Sequence, residues 1–276
     1  MNSVRIKFIR GEEVKYISHL DLMKVFERAL RRGNIPIAYS MGYNPHPQMV
    51  FGLPLPVGVT SEAEYADFEL SGSMSPEELM ESLNRVLPTG LEVVDAKTKK
   101  NKSNIMASIV KASYVVLVCP ETNPGIAILR DEIEKFFLQP QIIVKKESKG
   151  KIREIDIKPM IYELKVEGID ENGIGPEDGG GQDGGNQGGC GNAWIKKYVN
   201  ELSGQYPMGA NCRVGDLFCL SAMLSAGSAA NLKPELPVAA INGAGIPKLD
   251  VVKIHRTGLL VGTEEKDLDP MDPGAL

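Results

Sequence analysis

The sequence holds three histidines, and each stands where an imidazole can do chemistry. His19 lies in Ile17-Ser18-His19-Leu20-Asp21, at the start of a helix pattern. His46 sits between Pro45 and Pro47, and His255 precedes Arg256 at the end of the last strand pattern. Histidine changes charge near neutral pH, so it is the side chain suited to take a proton from a hydroxyl or to ligate a metal. His19, His46 and His255 are therefore the candidate catalytic residues. The plain structural alternatives are a first-turn hydrogen-bonding role for His19 and a strand-end role for His255.

A second set of residues has the chemistry to hold an anion. Lys24, Arg28, Arg31 and Arg32 recur at steps of four, three and one residues, which a helix gathers on one side. Tyr43, Asn44 and His46 stand in the Gly-, Asn- and Pro-rich loop 41–48, where Pro45 and Pro47 fix their own φ and restrain the residue before each. Tyr39 and Tyr43 have rings on which a base can stack. Ser225 to Glu235 is a small-residue loop that the sequence reads as leading into a helix capped by Asn231. Exposed amides there, with Ser228 and Lys233, suit a phosphate or carboxylate. His255 and Arg256 complete the candidate RNA- or anion-binding set, and Arg5, Lys7 and Lys15 on neighbouring strands add basic charge. No metal is expected: six residues separate Cys212 from Cys219, against roughly two to four in a zinc knuckle. No three-cysteine cluster offers an iron–sulfur site, and no cofactor is implied.

These residues need elements to place them. Val4 to Ile9 alternates as a strand, and Val14 to Ile17 reads as its continuation. Ser18 is a good N-cap for a helix over about 19–32, whose buried face would carry Leu20, Met23, Phe26 and Leu30, with Gly33 as a left-handed C-cap. Ile35 to Ser40 reads as a strand, Leu53 to Val59 as extended chain, and Tyr65 to Leu70 as a strand. Ser75-Pro76-Glu77-Glu78 starts a second helix, and Leu91 to Ala96 follows as a strand. Lys97 to Lys102 reads as a polar connector, after which the pattern repeats. A strand at 114–118, a helix at 126–138, a hairpin over 141–166, a strand at 218–224, a short helix at 234–241 and a strand at 250–254 make a second set. The expected fold class is α+β, with tandem ferredoxin-like (split βαβ) units and antiparallel sheets. The expected domains are 1–100, then 101–260 with a Gly-rich flexible insertion at 168–193, and an acidic disordered tail at 261–276. That insertion holds 11 of the 29 glycines and lacks the features of a phosphate loop.

Composition bounds the function. A chain of 276 residues, divided by the ~150 residues of a common domain, suits two domains. At 42% hydrophobic and 24% charged it can bury a core, and no apolar run is long enough to span a bilayer. With no secretion signal and four cysteines that make no disulfide framework, the expected location is the cytoplasm. The net charge of −5 excludes a protein that coats nucleic acid with its whole surface. It averages unlike blocks: residues 1–50 hold eight Lys/Arg against four Asp/Glu, and residues 51–96 hold one Arg against nine acids.

Residues 14–70, VKYISHLDLMKVFERALRRGNIPIAYSMGYNPHPQMVFGLPLPVGVTSEAEYADFEL, resemble the bacterial radical SAM-linked proteins of the DUF2344 family. SAGSAANLKPE and VVKIHRTGLL resemble that family's C-terminal motifs. The resemblance implies a standalone partner of, or a domain fused behind, a radical SAM enzyme, often encoded near RNA-processing and ribosomal genes, and no established activity. The N-terminal half is also distantly similar in fold to the ferredoxin-like repeats of the CRISPR Cas6 endoribonucleases. The favoured expectation is a non-catalytic accessory protein for a radical SAM enzyme that binds or presents RNA. The alternatives are a metal-independent endoribonuclease using His19 or His46, and a protein-interaction module whose acidic block at 51–96 meets a basic partner.

Overall fold

The computed structural model describes residues 2–148, 151–170, 173–174, 194–199, 214–262 and 266–276. The fold is mixed α/β, mostly antiparallel in its strand pairing, with six helices among the described residues. The chain divides into two units: Met1–Ala112 with Ala226–Ala230 and Gly258–Leu276, and Ser113–Ser225 with Asn231–Thr257. The first break was expected near residue 100 and lies later. The lysine run is a connector only in its second half, because Lys97 and Lys99 belong to a strand, β4 (Leu91–Lys99), and Lys100 and Lys102 follow it.

The first unit runs β1 (Asn2–Arg10), α1 (His19–Arg32), β2 (Met49–Phe51), β3 (Thr60–Leu70), α2 (Pro76–Asn84), β4 and the short α3 (Ile105–Ser108). Its strand order is β4-β1-β3-β2, antiparallel throughout. Alternation explains β1: Val4, Ile6 and Phe8 point to one face and are fully buried. They pack against Leu22, Phe26, Ala29 and Leu30 of α1 and Leu79 and Leu83 of α2. Ser18 caps α1 by accepting from the Asp21 backbone N–H, and Ser75 with Glu78 forms a complete capping box on α2. The expected ends of α1 need two corrections. Leu20 faces solvent at 69% exposure, and the left-handed residue is Asn34 (φ 51°), not Gly33. Val14 ends a 3-10 turn instead of extending the sheet, and 35–40 forms no strand beyond single bridges at Ile37 and Tyr39.

The other face of β1 is where pattern reading fails. Arg5 is buried, and so is its register partner on β3, Asp67. The guanidinium grips the carboxylate at both oxygens, Nε to Oδ1 at 2.6 Å and Nη2 to Oδ2 at 3.1 Å. Its Nη1 donates to the carbonyls of Pro270 and Ala275, each at 3.0 Å. Lys99 adds a second cation on Asp67 at 3.1 Å. Residues 266–276, expected as a disordered tail, thus cover this face. Met271 and Ala275 are buried, Tyr65 donates to Asp269 at 3.0 Å, and Asp267–Leu268 (β12) pairs with the end of a long strand, β11 (Leu249–Gly262). Two of the tail's acids accept from the body of the unit, Asp269 from Tyr65 and Asp267 from Lys111.

The second unit carries most of β5 (Ile109–Pro120), then α4 (Ile126–Phe137), the hairpin β6 (Ile143–Ser148) and β7 (Lys151–Asp156), and β8 (Ile161–Asp170) with β9 (Gly173–Ile174). Residues 194–199 form α5, followed by β10 (Phe218–Ser225), α6 (Glu235–Gly243) and most of β11. Its strand order is β11-β5-β10-β8, with β8 and β10 antiparallel. The Gly-rich insertion expected at 168–193 lies mostly outside the described residues. Of the cysteines, Cys219 is a free, buried thiol whose burial pushes its pKa up to about 12. Cys119 is disulfide-bonded.

Asp67→Ala leaves the buried Arg5 and Lys99 charges without their carboxylate. Removing one partner of a buried pair costs about 3–5 kcal/mol. A urea melt of this variant is expected to show a loss of that order, and a loss near the ~1 kcal/mol typical of a surface pair would refute the account.

Candidate nucleic-acid interface

Arg10, which sequence reading did not single out, positions the start of α1. It is fully buried at the end of β1, beyond a register shift between Phe8 and Arg10. Its guanidinium donates to main-chain carbonyls: Val14 at 3.4 Å, Lys15 at 3.3 Å, Leu55 at 3.5 Å, and Ile17. One side chain therefore shapes the turn that delivers Ser18 to its capping position. His19, the next residue, is half-buried at the rim of an aromatic cluster, its ring edge-on to Phe51 at 5.9 Å. Phe51 in turn packs on Phe8 and Phe26.

Three influences act on the His19 imidazole. Burial lowers its pKa most, Glu64 raises it, and Arg10 lowers it, with a net shift below 6.5. The ring is accordingly neutral at pH 7. The unfolded chain takes up this proton near pH 6.5 and the folded chain only lower, so the contribution to stability is intact above about pH 6.5. It is lost as pH falls toward the folded value.

The exposed side of α1 carries Lys24, Arg28, Arg31 and Arg32, as the spacing predicts. Lys24 lies 3.8 Å from Asp21, and Arg31 pairs with Glu27 at 2.6 Å. Such exposed helix pairs are worth about 0.3–0.5 kcal/mol, too little to keep either cation from a phosphate. Among the described residues Arg28 and Arg32 have no ion-pair partner. Arg31 and Arg32 also complement the C-terminal dipole of α1, which explains part of their placement without any ligand.

Tyr43, Asn44 and His46 belong to the same unit and are exposed in the loop after α1. The other predicted residues are placed differently. His255 is buried in the second unit, stacked on Trp194 of α5 with ring centroids 4.3 Å apart. Trp194 stacks in turn on Tyr198 at 5.6 Å. Arg256 is fully buried over the Tyr114 ring and donates to its hydroxyl at 3.2 Å. Neither reaches solvent, so the strand-end pair is no open anion site. Asn231 is not a helix cap, since α6 starts at Glu235 behind Pro234 with no side-chain cap bond. The small residues before it have a packing reason instead. Gly227 (φ 109°) lies so close to the chain that an added Cβ would sit 2.2 Å from the Ile109 carbonyl oxygen. Ser228 falls in the first unit, and Asn231 and Lys233 in the second; all three are exposed.

Other features bear on the remaining readings. Arg5, expected to face phosphates, is inside, and Lys15 pairs with Glu12 at 2.8 Å. Glu64 and Asp67 are buried, so the acidic block at 51–96 presents less charge than its count of nine. Among the described residues no group of three His, Cys, Asp or Glu is arranged to hold a metal, and no helix is long and apolar enough to cross a membrane. A cavity of about 280 Å³ in the second unit is lined by Arg130, Glu134, Lys165 and Glu167, none of them singled out by the sequence.

A family model described as "Uncharacterized protein conserved in bacteria (DUF2344)" matches residues 3–187. No curated protein matches the chain. Among solved structures, "Crystal Structure of a Cbf5-Nop10-Gar1 Complex" is similar at 10% identity and a TM-score of 0.45, covering 94% of this chain and 48% of that one. "Crystal structure of the archaeal box H/ACA sRNP Nop10-Cbf5 complex" follows at 9% identity and 0.38, covering 92% and 46%. The chain spans about half the length of the chains it matches. At those values neither likeness speaks to function.

An NMR pH titration of His19 is expected to place its pKa below 6.5, and Glu64→Gln is expected to lower it further, because the Glu64 charge opposes the shift. An upward move on removing Glu64 would show that the two groups do not face each other as described.

Proposed function

The chain belongs to the bacterial DUF2344 family, and on that premise we propose that it is a non-catalytic accessory protein that binds RNA through the exposed basic side of α1. The observation that carries this reading is the exposed set Lys24, Arg28, Arg31 and Arg32 on one side of one helix of a chain whose net charge is −5. Cations on the exposed side of a helix can neutralise phosphates and release their counterions on binding. The enzyme served is a radical SAM enzyme, a reading supported by the resemblance of residues 14–70 to radical SAM-linked proteins. The strand orders β4-β1-β3-β2 and β11-β5-β10-β8 support reading both units as ferredoxin-like. The family gives a bacterial setting, and a cytoplasmic site of action fits an RNA ligand.

A second reading, a metal-independent endoribonuclease, draws on His19. A neutral imidazole beside Glu64 and Arg10 is in the protonation state a general base needs to activate a ribose 2′-hydroxyl. Incubating a labelled RNA with the protein in EDTA separates the two. Cleavage that His19→Ala abolishes, with binding retained, would establish the nuclease and overturn the accessory role.

Binding is expected to fall steeply with salt. About four phosphate contacts on a single strand give a log–log slope near −3, or roughly 50-fold weaker binding between 50 and 200 mM salt. Arg28→Glu with Arg31→Glu is expected to abolish binding, as read by fluorescence anisotropy. RNA binding that survives this double reversal would refute the proposal. Nuclease-insensitive co-purification with a radical SAM enzyme tests the partner.

A further inference from the structure

We infer that residues 39–47 form a stacking finger that holds one unpaired base, so that the RNA taken is single-stranded at this point. The inference rests on the RNA-binding reading and extends it to the class of RNA.

The finger is built, not loose. Tyr39 and Pro47 bridge its two legs, the Ser40 N–H donates to the His46 carbonyl at 2.8 Å, and the His46 N–H donates to Ser40 Oγ at 3.0 Å. Below the bridge, Gln48 N–H donates to the Ala38 carbonyl at 2.8 Å. Both legs are tied to Glu69 of β3: the Ala38 N–H donates to its carbonyl at 2.7 Å, and its own N–H donates to the Gln48 carbonyl at 3.0 Å. Gly42 turns the tip at φ 141°, where a side chain would be strained. Pro45 and Pro47 stiffen the returning leg.

The tip of this braced turn points apolar groups into water. Met41 is 99% exposed and Tyr43 102%, with Tyr39 at 43% near the base. A slack loop would fold such side chains back onto the protein, but the bracing prevents it. Little conformational entropy remains to be lost on binding, and a tyrosine has only two side-chain torsions to fix. Between Arg32 and Glu62 the chain carries no Asp, Glu, Lys or Arg. A charge-free aromatic tip suits the face of a base and not a phosphate. The cations of α1 end at Arg32, seven residues before Tyr39 in the chain. Cations for the backbone together with an exposed ring for a base are the parts single-strand binders use. Bases inside a duplex are already stacked and offer no free face to Tyr43.

The test is anisotropy with the full chain, using a fluorescein-labelled 16-nucleotide oligouridine and a blunt 16-base-pair RNA duplex. Tyr43→Ala is expected to weaken oligouridine binding about tenfold, to leave duplex binding and the salt slope unchanged, and to keep the wild-type melting temperature. Tyr43→Phe, which retains the ring, is expected to bind as the wild type does. Unchanged oligouridine binding by Tyr43→Ala, an equal loss on both RNAs, or loss only of a protein partner would each overturn the finger while leaving RNA binding in place. Wild-type protein that binds neither RNA overturns the RNA reading and the finger with it. Tenfold weakening that persists when Arg28 and Arg31 are reversed supports the finger and overturns the helix as the phosphate site.

Discussion

A guanidinium taken out of water keeps five N–H donors that need acceptors, and Arg5 is such a group. The geometry answers it with a carboxylate directly across the ladder, which takes two donors side by side, and with two carbonyls from the far end of the chain. Much of the first unit follows from this. β1 and β3 are locked in the register that sets Arg5 opposite Asp67, and β4 is drawn in through Lys99 on the same carboxylate. A one-residue slip would turn Val4, Ile6 and Phe8 out of the core and leave the ion pair unmade. Arg10 repeats the device near the other end of β1 with backbone carbonyls as acceptors, and the start of α1 is its product.

How much of this the sequence discloses depends on the range of the interaction. Local signals are legible. Ser18 and Ser75 cap the helices they should, and the Val4, Ile6 and Phe8 alternation finds the core. What alternation cannot reveal is whether a strand's second face is covered, because the cover comes from residues 270–275. Arg5 and the lysines of β4 therefore read as solvated charge, and the last acids read as a loose tail. Leu20 and Asn34 show the smaller error of helix ends, where one residue separates a buried position from an exposed one.

The candidate interface divides along the same line. The exposed cations of α1 and the Pro-braced loop are local features, and they stand where their spacing puts them. His255 and Arg256 looked open because a strand end usually is. Rings from residues 114 and 194, distant in the chain, close over them. Arg10 carried no signal beyond its position at the end of an alternating run.

The acceptors of Arg5 have a consequence for the order in which the molecule is made. Pro270 and Ala275 follow Arg5 by 265 and 270 residues. A ribosome adding roughly 5–20 residues per second needs some tens of seconds to bridge that interval. Asp67 emerges early enough to meet Arg5 during that time, but the two carbonyls do not yet exist. The face of β1 that bears Arg5 therefore stays wet until residues 270–275 have been made, so a strand formed early is sealed late.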